Sequence, residues 1–334
     1  MISPYRIKYN NYINEDFDVI CDLAFDSDSG EISSYLSRDA VASDTYNGSY
    51  KRVYSYKWNE VLQPKITLID KDFGDFTLER QRAILRWLTS KSTPSFLTIY
   101  EDESETVMME ILGGFIDVKP YKLSNNRTVG YVCTFESVCP WAFSPLYTYT
   151  QNVSNPSTNK FTININTDDI ESPVYPRITI KQNNSVIVNV DYPMIVNGAW
   201  VNSDYVDGTV YYYANTGDYY YNKHNTDGSI VATITKNNPV TTDTKTSVII
   251  KNVHTDEDSG THINNFCIKN NTAGETIVMD GANKVISSSA TKRVMSNDFD
   301  WNWMPLYNGK NDITVIGNCI VELQWRSIRK VGEY

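Results

Sequence analysis

The chain is 334 residues long, 41% hydrophobic and 21% charged, a balance typical of soluble globular domains that excludes wholesale disorder and a fibrous protein. Its formal net charge of -10 argues against nonspecific adhesion to nucleic acid or to an anionic membrane, both of which need a basic patch. No segment approaches the ~18 consecutive apolar residues that cross a bilayer, and the opening Met1 to Arg6 lacks a basic stretch before an apolar run, so folding in the cytoplasm is expected.

At this length two domains are the first expectation, because single cores usually serve roughly 100 to 200 residues. The 24 tyrosines, with 7 tryptophans and 11 phenylalanines, favour strands over helices, since aromatic side chains suit pleated, half-buried surfaces and interfaces. Apolar and polar residues alternate through Tyr5, Ile7 and Tyr9, and again through Phe17, Val19 and Cys21, as in a half-buried strand pair. Between about 26 and 57 the apolar positions thin out and turn chemistry appears, notably Asn47-Gly48. Such a segment packs no core alone and is read as an extended arm, with a surface loop as the plain alternative. Thr77 then caps a helix over about 77–90, with Glu79 in its first turn and Ala83, Ile84, Trp87 and Leu88 as an apolar stripe, and Pro94 follows its end. Strands predicted at 96–100, 107–112, 115–118 and 129–136 complete a β-rich first domain, 1–145.

Pro140, Pro145 and the polar run 150–160 mark the junction, since proline breaks both ladder and helix. The second domain, 146–334, reads as short strands without helices, at 161–165, 177–180, 186–190, 246–250, 265–269, 275–279 and 312–316, a pattern that suggests a β-sandwich. Residues of about 197–245 look inserted: Trp200 precedes two tyrosine triplets, 211–213 and 219–221, separated by a turn, and a hairpin is the simplest reading. In that hairpin Tyr211, Tyr213, Tyr219 and Tyr221 are expected on one face, opposite Tyr212 and Tyr220. Ordinary cross-strand packing, contact with a partner protein and stacking on a sugar are all open for these rings, so Trp200, Tyr211, Tyr213, Tyr219 and Tyr221 are the candidate partner or glycan contacts.

Catalytic constellations are sparse. The three histidines are His224, His254 and His262, the last two near Asp256, Glu257 and Asp258, but no zinc-type spacing accompanies them and a solvated acidic loop is the plainer reading. No G-x-S-x-G, P-loop or dinucleotide fingerprint occurs, and the carboxylate pairs a glycosidase needs are not separable by sequence among 40 acidic residues. The five cysteines, Cys21, Cys133, Cys139, Cys267 and Cys319, are scattered without C-x-x-C spacing and read as reduced, mostly buried thiols. A protein that is not an enzyme, with no cofactor and no catalytic or metal site, is therefore expected.

Several stretches resemble a known family. Ile32-Ser-Ser-Tyr-Leu-Ser-Arg38, Tyr54-Ser-Tyr-Lys-Trp-Asn-Glu60, Pro64-Lys-Ile-Thr-Leu68, Arg86-Trp-Leu-Thr-Ser90 and Phe135-Glu-Ser-Val-Cys-Pro-Trp-Ala-Phe-Ser144 look like the N-terminal domain of siphophage distal tail proteins. Ile268-Lys-Asn-Asn-Thr-Ala-Gly-Glu-Thr-Ile277, Asp280-Gly-Ala-Asn-Lys284, Ser296-Asn-Asp-Phe-Asp-Trp-Asn-Trp303 and Gly309-Lys-Asn-Asp-Ile-Thr-Val315 are similar to the family's second domain, while 197–245 is left uncovered. The resemblance implies a mainly β fold: a tail-tube-like β-sandwich or barrel with one helix and a belt arm, then a galectin-like β-sandwich carrying the tyrosine-rich hairpin. It also implies a virion protein at the distal end of the tail, a baseplate or tail-tip hub. Six copies would form a ring, with Ile32, Tyr35, Leu36, Tyr46, Tyr50 and Tyr54 of the arm as candidate contacts on the neighbouring copy. The implied partners are the tail tube protein, the tail-tip protein, the tape measure protein, and receptor-binding or side-fibre proteins. Sequence-specific nucleic-acid binding and membrane insertion are not expected. Two rival readings are a host-surface carbohydrate-binding module and a tail-associated hydrolase.

Overall fold

The computed structural model describes residues 5–24, 38–44, 51–58, 61–101, 105–123, 127–153, 159–201, 205–225, 227, 229–239, 244–256 and 260–331. The chain divides into two units, Met1–Pro145 with Ser327–Tyr334, and Leu146–Arg326. It is mainly β, with one α-helix among the described residues.

In the first unit the strands Tyr12–Ile13, Arg6–Tyr9, Ser95–Tyr100, Val107–Lys122, Thr128–Ser137, Lys65–Asp70 and Val19–Ala24 lie side by side in that order, each pair antiparallel. Tyr5, just ahead of Arg6–Tyr9, bridges to Cys21 in the far strand, its N–H 2.9 Å from the Cys21 carbonyl, so the sheet returns on itself as a barrel. A side chain strengthens this seam: Asn14, 3% exposed, accepts the Ile7 N–H at 2.9 Å and donates to the Val19 carbonyl at 2.9 Å. Closure removes sheet edges that would otherwise recruit other strands. Inside, Tyr9, Phe115 and Phe135 meet edge to face with centroids 5.1, 5.2 and 5.9 Å apart, a geometry that the ring quadrupole favours.

The strands expected at 107–112 and 115–118 are one, Val107–Lys122. Gly113 makes that continuity possible, because a Cβ there would collide with the Glu136 carbonyl of the neighbouring strand. The helix runs Leu78–Thr89, with the Thr77 hydroxyl accepting the Arg80 N–H at 3.2 Å. Its apolar stripe buries Ile84, Trp87 and Leu88. Trp87 stacks on Phe17 at 4.8 Å and donates its indole N–H to the Tyr9 carbonyl at 2.7 Å, fixing the helix to the strand that starts the barrel.

The closing residues belong to the first unit, not to the second as the 146–334 reading had it. Ala142–Phe143 pairs with Ile328–Arg329, and Ser144 and Ser327 exchange bonds of 2.8 and 2.9 Å. Val331, 2% exposed, joins the first core. The amphipathic pattern of so short a strand is too brief to show which core it serves.

The second unit is built on two antiparallel sheets. One runs Tyr147–Val153, Cys319–Trp325, Arg177–Gln182, Thr276–Asp280, Val285–Ser288; the other Asn159–Ile165, Gly309–Ile316, Lys245–Asp256, Gly260–Thr272. Their inward residues, among them Ile178, Ile250, Phe266, Val315 and Leu323, form one apolar cluster, the core of a sandwich. The polar run 150–160 expected to mark the junction begins inside the edge strand Tyr147–Val153, whose Thr148 and Thr150 are exposed while Tyr149 packs on the core and Val153 is buried.

The inserted part is larger than a hairpin. Val186–Val190, assigned from sequence to the sandwich, instead pairs in parallel with Thr209–Tyr213, and the sheet continues through Asp218–His224 to Ile230–Thr235. The small hairpin Ile195–Val196 and Ala199–Trp200 lies within the connection that a parallel pair requires. Met194, Ile195, Tyr211 and Tyr220 give this module a core of its own.

Candidate interaction surfaces

Of the proposed arm contacts, Ile32, Tyr35, Leu36, Tyr46 and Tyr50 lie outside the described residues. Tyr54 lies in a described hairpin, Arg38–Asp44 with Lys51–Trp58, which bonds to itself and to no other described strand. Every described side chain of this hairpin is exposed, including Val41, Val53, Tyr54 and Tyr56. Tyr54 is held from within, its hydroxyl 2.9 Å from Ser43 and the Arg52 guanidinium 5.4 Å from its ring. A two-stranded ribbon of this kind has no hydrophobic face covered and is marginal in water by itself.

The tyrosine faces differ from the sequence expectation. Tyr211 lies opposite Tyr220, Tyr212 opposite Tyr219, and Tyr213 opposite Asp218. Directly paired residues share a face, so Tyr211, Tyr213 and Tyr220 point one way and Tyr212, Tyr219 and Tyr221 the other. The four-residue turn between Tyr213 and Asp218 sets this register, which the symmetry of the two triplets concealed. Tyr211 and Tyr221, at 6% and 3% exposure, are buried and unavailable to a glycan or a partner. Trp200 is half-buried against Tyr205, with centroids 4.5 Å apart. Tyr213 and Tyr219 remain partly accessible, on opposite faces. The five rings therefore do not form one binding platform.

A polar cluster that sequence reading missed ties the inserted module to the sandwich strand Lys245–Asp256. The Asp207 carboxylate accepts the Tyr205 hydroxyl at 2.5 Å, the Asn222 amide at 3.0 Å and the Ser247 N–H at 2.6 Å. Ser247 occupies a β-bulge, which frees its N–H and turns its hydroxyl to His224 Nε2 at 2.8 Å. His224 Nδ1 lies 2.7 Å from the Lys245 carbonyl, which only accepts, so Nδ1 carries the proton and Nε2 accepts from Ser247. Burial lowers the His224 pKa against the raising influence of Asp207, and burial followed by the Asp207 charge raises that of Tyr205. These groups sit far apart in sequence, and no short motif announces them.

His254 and His262 are cross-strand partners whose rings flank Tyr307 at 5.0 and 4.9 Å, and the Lys310 carbonyl takes the His254 Nδ1–H at 2.8 Å. Among the described residues no group of three or more His, Cys, Asp or Glu is placed to hold a metal. All five cysteines are free. Burial pushes the thiols of Cys133 and Cys319 up to about 12, which keeps them protonated and unreactive.

Comparison with known proteins fits this architecture. The model of a phage tail protein N-terminal domain matches residues 5–138, and that of a phage tail C-terminal domain matches 205–325. No curated protein matches the chain. Among solved structures, the Dit protein of phage SPP1, a paradigm of the hub adsorption apparatus in phages that infect Gram-positive bacteria, is 8% identical, with 96% of this chain and 98% of that one covered at a TM-score of 0.51. A chain of the phage P2 baseplate in its activated conformation with calcium is 11% identical, covering 99% of this chain and 100% of that one at a TM-score of 0.41. The chain belongs to a family of phage tail proteins, and the SPP1 Dit fold bears out the resemblance to siphophage distal tail proteins. The tyrosine strands, left uncovered by the motif resemblance, fall inside the matched C-terminal domain.

Proposed function

We propose that this tail protein is the hub at the distal end of the tail tube, six copies forming a ring that joins the tube to the tail-tip protein and to receptor-binding or side-fibre proteins. The observation that carries the reading is the hairpin Arg38–Asp44 with Lys51–Trp58, exposed on all its described side chains and forming a ladder with no other described strand. In a ring each such ribbon lies on the next subunit as a belt, and a closed ring leaves no ribbon uncovered. The barrel of the first unit suits a tube-like stacking surface, and the two-sheet sandwich suits the galectin-like domain that carries fibre proteins outward. Net negative charge favours a lumen through which DNA slides without sticking. No bond is made or broken in this role. The buried Tyr211 and Tyr221 weigh against a carbohydrate-binding face on the tyrosine strands.

Light scattering on the purified chain across a concentration series tests the ring. A mass rising toward six copies or two stacked rings supports it. A strict monomer at every concentration, with the tail-tip partner added as well, overturns it.

A further inference from the structure

Two residues of the first unit run against local preference without a cause in the monomer. Phe73 adopts left-handed backbone, φ 55, a region that bulky side chains seldom enter and that Gly or Asn holds at less cost. It is 59% exposed and belongs to neither apolar core. The loop that carries it is pinned: Asp70 Oδ1 accepts the N–H groups of Asp72 and Gly74, both at 2.8 Å, and the Asp70 carbonyl accepts the Phe73 N–H at 3.1 Å. Arg80 ties the Asp70 carboxylate to the Phe17 and Asp18 carbonyls, each 2.9 Å away. A ring presented on a pinned loop loses little entropy when it is covered, as a preorganised contact requires. Leu78, the first residue of the helix, is 75% exposed and adds a second apolar side chain.

Gly114 is the converse. It lies inside the strand Val107–Lys122 without left-handed backbone, and no described atom comes within 4 Å of a Cβ built there. Gly113 beside it is required by the neighbouring strand, whereas Gly114 is not. Glycine inside a strand weakens it, and often marks a place where another group approaches the backbone closely. Gly114 lines a groove of about 280 Å³ with Leu88, Pro94, Phe115, Ile116 and Val138, and hydroxyl side chains of residues 89–93 line it as well. Ile116 and Val138 are 58% and 52% exposed. The volume falls just below the ~300 Å³ at which small-molecule sites begin, and suits a single aromatic side chain.

Knob and groove do not meet within one chain, because the helix carries the chain from Leu78, near the knob, to Leu88, in the groove, a rise of roughly 15 Å. Charge changes sign along the same path. Asp72 and Glu79 stand on the knob side against Lys71, with Asp75 paired to Arg127 at 2.6 Å, while Arg86 and Lys91 stand on the groove side against Glu136. Opposite signs at the two ends favour a knob meeting a groove over either end meeting its like.

We infer that Phe73 of one copy seats over Gly114 in the groove of a second copy, so that copies of this chain associate head to tail. Knob and groove are different patches, so the contact closes a ring or runs on as a filament. The inference rests on the hub reading only for that closure.

Analytical ultracentrifugation of the full chain tests it with F73N, G114F and an equal mixture of the two. Asn is at ease in left-handed backbone and a side chain on Gly114 meets open space, so neither variant should lower the unfolding midpoint of the monomer. Each alone should need at least ~10-fold more protein to assemble, the loss expected when an aromatic anchor is removed or its seat is filled. Mixed, they should form more dimer than either alone at the same total concentration, since F73N keeps its groove and G114F its knob. Assembly of both variants at the native concentration overturns the inference and leaves the ring standing. Open head-to-tail chains that vanish in both variants support the inference and overturn the ring. A midpoint lowered by more than about 4 °C in F73N makes Phe73 part of the monomer's own packing and overturns the inference alone. A native chain that stays monomeric at every concentration, with the tail-tip protein added, overturns both.

Discussion

Asn14 ties the two strands of the barrel seam together through its side chain. Its amide is 3% exposed and serves one donor and one acceptor that belong to different strands. Asn14→Ala strands both, and each buried unsatisfied group costs ~1–3 kcal/mol, so a loss of about 2–4 kcal/mol in chemical denaturation is expected. Asn14→Asp should restore little, because a carboxylate accepts from Ile7 but has no proton to give Val19. A change below ~0.5 kcal/mol in the alanine variant would show that the seam is held elsewhere. Asp70 carries a second expectation, tied to pH. Burial pushes its carboxyl up, yet the N–H groups of Gly74 and Asp72 and the Arg80 guanidinium together outweigh that, holding the pKa below the usual carboxylate range. A folded pKa below the unfolded value of about 3.9 gives stability that is complete above that pH and lost as the pH falls through the folded value. Asp70→Asn should cost about 2 kcal/mol at neutral pH. It should also flatten the decline in unfolding free energy below about pH 4, and an acid limb identical to that of the native chain would refute the assignment.

At the scale of elements, the two tyrosine triplets give a sharp contrast. Tyr211 is enclosed with Met194 and Ile195, whereas Tyr212 is half-exposed and packs across the strand pair against Tyr219, with centroids 4.7 Å apart. Tyr211→Ala should therefore destabilise by about 3 kcal/mol and Tyr212→Ala by under about 1 kcal/mol, measured by thermal unfolding. Equal losses would mean that the face assignment is wrong. Sequence periodicity could not reach this point, because parity between two strands depends on how many residues the turn takes, and the triplets look the same in either register. The helix was legible for the opposite reason: Thr77, Glu79 and the stripe through Ile84, Trp87 and Leu88 are local and fix both its start and its buried face. Barrel closure through Tyr5 and Cys21, the parallel pairing of Val186–Val190, and the return of Ile328–Arg329 to the first unit are pairings between distant residues with no local signature. Polarity misled in one place, since the edge strand Tyr147–Val153 shows the solvent side of a sheet and reads as a linker. The anchoring cluster of Asp207, His224 and Ser247 was hidden as well, being assembled by a bulge that the sequence does not mark.

For the whole molecule, the exposed ribbon decides between a protein that works alone and one that works in an assembly. Its strands bond to each other along one edge only and join neither apolar core, and an isolated two-stranded hairpin is at best marginally stable in water. Val53, Tyr54 and Tyr56 are 44%, 60% and 58% exposed and belong to neither apolar core, so replacing all three with serine removes exposed apolar surface. The triple variant should therefore keep the unfolding midpoint of the monomer within about 2 °C, since surface substitutions away from packed features usually change stability by under about 0.5 kcal/mol. If the ribbon grips a neighbour, the same variant should lose the high-mass species in light scattering, because covering three such side chains contributes on the order of 4 kcal/mol per interface and a ring multiplies that by its number of interfaces. Rings that persist in the variant would move the subunit contact to the barrel wall. A collapsed midpoint with no ring would instead make the ribbon part of the monomer's own fold.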